Sequence, residues 1–178
     1  MRFNMSIVLV SLMMLAGCQP DQMSSELFTS DIVAAQEGEV LEVNTTLSFS
    51  LLGKDEQGLF QSVKEIASRY LSSDTKFSEA KGEFGDKLIV ETTVPLGTSD
   101  SLSEYLKTNT RVVAFEVEAD KVNQATKVSL IKTQFMKKLV REIRGVNMML
   151  SVELPVTKNA IRVVSDSRDQ KLISAIAV

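Results

Sequence analysis

The sequence predicts an α+β domain in which antiparallel strands form the sheet and two main amphipathic helices pack on one of its faces. Three observations predict it. Apolar and polar residues alternate, as in half-buried strands, over 40–51 and 146–154, and Leu88-Ile89-Val90 through Val94 makes a strong strand run. Two other segments repeat apolar residues every three or four positions, the spacing of one helix face: Leu59, Val63, Ile66, Ala67 and Tyr70, then Ile131, Phe135, Met136, Leu139, Val140 and Ile143. The connections between strands read as hairpin-sized turns, which favour antiparallel pairing because parallel strands need long crossovers.

Taken in order, residues 1–17 are apolar behind a basic start, and Gln19 to about Glu37 are polar and read as a tether, with an ordered piece near Leu27 and Phe28. A strand follows from Glu39 until Gly53 and Asp55 end it, and Asp55 or a neighbour caps the first helix. Ser72, Ser73 and Asp74 stop that helix, and strand signals resume over 75–80. Phe84-Gly85-Asp86 reads as a tight turn, after which Leu88 to Val94 form a strand halted by Pro95. Residues 97–109 are the best internal boundary, a loop with a short helix over 102–107. Val112 to Val117 form the next strand, and residues 119–130 fit a helix or a strand equally. The second main helix begins at Ile131 and closes on Arg141, Arg144 and Gly145. The alternation over 146–154 is a strand, and 160–164 with 172–178 read as a closing hairpin. The order of elements suggests two β-α-β-β-like halves, 38–96 and 110–178, inside one domain spanning 38–178.

Met1 and Arg2, the apolar run from Met5, and the small residues Ala16 and Gly17 have the layout of a secretory signal: a charged start, a short apolar core, then small residues at the cut. The core is shorter than the roughly 20 residues of a bilayer span. Leu15-Ala16-Gly17-Cys18 closes it, and Cys18 is the sole cysteine. This tetrad resembles the lipobox of bacterial lipoproteins. The resemblance covers residues 1 to about 18 and implies a signal peptide over 1–17, with Cys18 as the lipid-bearing first residue of the mature chain. A thiolate is nucleophilic and accepts a diacylglyceryl group as a thioether, and two or more acyl chains, palmitate among them, anchor a protein stably. In such lipoproteins Asp directly after the cysteine favours the inner membrane. Gln19 stands there instead, which by resemblance favours the outer membrane; Asp21 lies further along.

Removing residues 1–17 takes away Arg2 alone among the charged residues, so the net charge moves from −3 to −4. That mild acidity argues against a nucleic-acid partner, which calls for a concentrated basic face. With Cys18 lipidated no thiol is left for a disulfide, so the core supplies the stability.

The chemistry on offer is sparse. There is no His, which removes Ser-His-Asp and Cys-His nucleophiles and nearly all zinc sites. No glycine run has phosphate-binding spacing. No cofactor or metal is expected, and no catalytic residue is assigned. Carboxylates cluster at Glu37/Glu39/Glu42, at Glu116/Glu118/Asp120 and at Asp166/Asp169. Glu116 and Glu118 share a strand face, although a solvated face is the commoner use of such a pair. Lys132, Lys137, Lys138, Arg141 and Arg144 crowd the second helix. Two uses fit them: contact with anionic lipid head groups, or the exposed side of a core-packed helix.

The expectation is therefore an envelope lipoprotein acting as a non-enzymatic binding or interaction module, anchored through Cys18. Its partner would be another envelope protein, a lipid or a glycan. Lipoproteins of this size also occur on phages, prophages and plasmids, where some exclude superinfection, a comparison resting on anchor and size alone. The alternative is a His-free envelope hydrolase working through carboxylates or a Ser-Lys pair.

Overall fold

The computed structural model describes residues 20–50, 58–81, 85–120, 125–146, 161–164 and 166. In chain order these form β1 (Pro20–Phe28), α1 (Thr29–Gln36), β2 (Leu41–Ser50), α2 (Leu59–Ala67), β3 (Lys76–Lys81), β4 (Asp86–Gly97), α3 (Ser99–Tyr105), β5 (Val113–Asp120), β6 (Ala125–Lys132), α4 (Met136–Val146) and β7 (Ile161–Val164). The class is α+β, and the described strands make one strongly curled sheet in the order β6-β5-β4-β2-β1-β7, with β3 also paired to β4.

The sheet is mixed, which corrects the antiparallel expectation. Antiparallel pairs join β1 to β2, β2 to β4, β3 to β4 and β5 to β6, but β4–β5 and β1–β7 are parallel. The physical reason lies in residues 98–112. Read from sequence as a boundary between halves, they hold α3 and are long enough to carry the chain over the sheet to a parallel neighbour. The two expected halves are thus continuous through β4 and β5 and share one hydrophobic core.

Register puts the apolar side of each strand on a common face. Met23 stands opposite Leu47, Leu47 opposite Val90, Val43 opposite Val94, Leu96 beside Phe115, and Val117 opposite Val128. All are buried. Helix α1 adds Ile32 and Ala35 to this core, α2 adds Phe60 and Ile66, and α4 adds Met136, Leu139 and Ile143. Helix α3 departs from the expected one-face arrangement by covering the other side. It packs Leu102 close to Gly97, where a Cβ would meet Ser101 Oγ at 2.7 Å and Leu102 Cγ at 3.3 Å. The Thr98 hydroxyl caps α3 by accepting from the Ser101 backbone N–H at 3.3 Å. Helix α2 is preceded by Gly58 at φ +63°, a left-handed conformation that glycine adopts without steric cost.

The tether expected over residues 19–37 is corrected by β1 and α1. Met23, Ser25 and Leu27 all point inward and are buried. The inward Ser25 replaces an apolar residue with a hydroxyl bonded to Thr45, which blurs the alternation that marks a strand. Three boundaries also move. Ile131 and Lys132 belong to β6, where they pair with Ala114 and Val113, and α4 begins only at Met136. Val146 ends α4 rather than opening a strand. Strand β4 runs through Pro95 to Gly97. Of residues 119–130, which fitted helix or strand, 119–120 end β5, 125–130 make most of β6, and 121–124 lie outside the described residues. The signal segment, Cys18, the Asp55 cap, the strand expected over 147–154 and the 172–178 arm of the hairpin lie outside the described residues.

Candidate functional site

β2 covers one edge of β4 along nearly its whole length. The other edge is shared: β3 pairs with residues 86–91, and β5 joins at Leu96 and Gly97. Between them, over 92–95, that edge of β4 has no strand partner among the described residues. At this fork a polar cleft of about 210 Å³ opens, lined among others by Asn44, Thr46, Asp74, Lys76, Glu91 and Thr93. The register explains the grouping, because Asn44 stands opposite Thr93, Thr46 opposite Glu91, and Lys76 opposite Glu91 on the far side.

Asp74 is held below the usual carboxylate range. The main cause is the hydroxyl of Ser72, which donates to Asp74 Oδ1, aided by a backbone N–H and the positive Arg111 and Lys76, against partial desolvation. A lowered carboxyl stays charged and accepts hydrogen bonds; it is a poor general acid. The cleft therefore presents carboxylates as acceptors, Lys76 as a cationic donor, and hydroxyl and amide groups that do either, a set suited to hydrogen-bonding a polar ligand.

A second cluster forms where α3 meets the same face of the sheet. Tyr105 donates its hydroxyl to Glu42 Oε1, and Arg111 Nη2 lies 3.5 Å from the same oxygen. Arg111 Nη1 donates to the Thr110 carbonyl at 3.1 Å and more weakly to that of Leu71 at 3.5 Å, while its buried Nε meets no acceptor among the described residues. Burial first, and then the bond to Glu42, pushes the Tyr105 phenol up to about 12.

The residues singled out from sequence separate in the fold. Glu37 and Glu39 are exposed in the turn after α1, whereas Glu42 is drawn into the cluster with Tyr105 and Arg111. Glu116 and Glu118 share the face of β5 opposite the core, and no group of three or more metal-ligating side chains occurs among the described residues. Asp166 clasps the start of α1: its Oδ1 accepts from the Thr29 hydroxyl at 2.8 Å and the Ser30 backbone N–H at 3.0 Å, and its Oδ2 from the Ser30 hydroxyl. Asp169 lies outside the described residues. Lys137, Lys138, Arg141 and Arg144 are exposed on α4, and Lys132 is exposed at the end of β6. Sequence reasoning missed the cleft and the Tyr105–Glu42–Arg111 cluster. Their members are scattered polar residues from different strands and loops, and only the register brings them together.

Cys18 itself is not among the described residues, but β1 begins at Pro20, two positions on. No helix among the described residues is long and apolar enough to cross a membrane. Comparison with protein-family models, curated proteins and solved structures found no significant match.

Proposed function

We propose that this protein is a lipid-anchored envelope protein, tethered through Cys18, that works as a non-enzymatic binding or interaction module. The observation that carries the reading is the junction of signal and fold. Leu15-Ala16-Gly17-Cys18 runs straight into β1 at Pro20, so a lipid on Cys18 would hold the folded domain against the membrane surface. Two residues of extended chain span only about 7 Å. The open polar cleft at the β3/β5 fork supports recognition of a polar partner, such as a glycan or the polar surface of an envelope protein. Gln19 supports the outer membrane as the site of anchoring. Exclusion of other phages or plasmids at the envelope is one service such a module performs.

The hydrolase alternative has less in its favour, since the Ser72–Asp74 contact lowers the carboxyl when a general acid needs it raised. The test is Cys18→Ser in the full chain, followed by membrane fractionation and gel mobility. Loss of the variant from the membrane fraction is expected. Unchanged membrane association together with unchanged mobility refutes the anchor.

A further inference from the structure

Helix α4 divides sharply into two sides. Met136, Leu139 and Ile143 are buried in the core, and the opposite side carries Lys137, Lys138, Arg141 and Arg144, all exposed. At about 100° per residue these four fall within an arc of roughly 120°. None of them pairs with an acidic side chain among the described residues. The one acidic residue of the helix, Glu142, is taken up by Arg69 at 2.7 Å and by the Tyr70 hydroxyl at 2.5 Å, both from the α2 side. The rest of α4's surface charge is thus left uncompensated among the described residues, on a chain whose net charge is −3. The rest of the chain is net acidic, since α4 holds four of the 20 basic side chains and one of the 23 acidic ones.

We infer that the basic face of α4 is a docking surface for the anionic head groups of the membrane that carries the protein. The inference rests on the proposed lipid anchor, because the anchor supplies the geometry. With the fold starting two residues after Cys18, it sits about 7 Å or less from the head groups, inside the Debye length of about 8–10 Å at moderate salt. That distance holds for Pro20, and rotation about so short a link brings other faces within the same range. There an anionic surface attracts the α4 face and repels the acidic remainder, so the anchored domain turns α4 toward the lipid. An acidic protein partner would use the same charges, but only the membrane is held beside the domain by the chain's own covalent structure.

The test uses the full lipidated chain in phosphatidylcholine vesicles with and without phosphatidylglycerol. Lysine acylation is read by mass spectrometry, with exposed Lys127 on β6 as the internal reference. Lys137 and Lys138 should be acylated about fivefold or more slowly, relative to Lys127, in the anionic vesicles alone, and high salt should abolish the difference. Replacing Lys137, Lys138, Arg141 and Arg144 together by Gln should leave the fold intact, since all four are exposed. Equal acylation in both vesicle types overturns the proposal, and so does protection in native envelopes that neither vesicle reproduces, which would assign the face to an acidic protein.

The mass of the Cys18 peptide from the same sample reads the anchor separately. If it is unmodified, the anchor fails while the face is still tested by sedimentation. Salt-sensitive binding to anionic vesicles that drops about fivefold per cation removed upholds the face, and binding indifferent to the four replacements overturns it.

Discussion

The hydroxyl pair Ser25–Thr45 offers a sharp test of β1 as an integral strand. The two oxygens lie 2.9 Å apart, Ser25 is 2% exposed and Thr45 is 3% exposed. Thr45 also has an outlet to the Val43 carbonyl at 3.3 Å. If Thr45 donates there, Ser25 donates to Thr45, and the two residues have unequal standing. Thr45→Val strands the buried Ser25 donor and should cost about 1–3 kcal/mol. Ser25→Ala leaves Thr45 its carbonyl partner and should cost only about 0.5–1.5 kcal/mol. The double replacement removes both polar groups, leaves no buried donor unpaired, and should be more stable than Thr45→Val alone. The assay is urea unfolding of the purified full-length protein, reading the midpoint at constant slope. A double-mutant coupling of about 1–2 kcal/mol is expected. Strictly additive costs, or a Thr45→Val variant as stable as the parent, would refute the reasoning and return residues 20–28 to the role of a loose tether.

Two further perturbations follow from the same packing. Asp166 is lowered from its ordinary 3.8 to about 2, first by the Ser30 hydroxyl, then by the Thr29 hydroxyl and the Ser30 N–H. A carboxyl depressed in the folded state adds stability above its unfolded value and loses it as pH falls through the folded one. Wild type should therefore lose more thermal stability than Asp166→Asn as pH drops from about 4 to about 2, and parallel melting curves for the two across that window would exclude the clasp. Gly97→Ala should lower stability by about 1–3 kcal/mol through overpacking against α3. Adding Ser101→Ala, which removes the 2.7 Å contact, should recover part of that loss in the same urea assay.

Much of this fold was legible where side-chain chemistry and period agree. The inward row Val43, Leu47, then Leu88, Val90 and Val94 alternates cleanly, and the stripes of α2 and of α4 from Met136 onward repeat at helical spacing. Legibility failed where the interior is polar or the neighbour is distant. Ser25, Thr45, Thr92 and Thr126 are buried hydroxyl residues, and Gln36 of α1 reaches Thr126 at 2.8 Å across the core side of the sheet; hydropathy reads such positions as surface. Ile131 fits the helical period of the segment after it, but cross-strand pairing with Ala114 takes it into β6. The cleft was illegible for another reason. Asn44, Asp74 and Glu91 are unremarkable one by one, and only the cross-strand register of β2, β4 and β3 makes neighbours of them.

The parallel pairing of β1 with β7 has a consequence for the order in which the chain acquires its structure. Ser25 lies beside Ile161, and Asp166 reaches back to Ser30 over 136 positions. At about 5–20 residues per second of synthesis, about 7 to 27 seconds separate the emergence of these partners. Strand β1 can pair with β2 early, but its other edge waits for residues 161–164. Such long-range closure is intrinsically slow. If the chain is exported as proposed, that delay is useful: β7 is the latch for β1, and this edge of the sheet cannot close while β7 is still on the other side of the membrane.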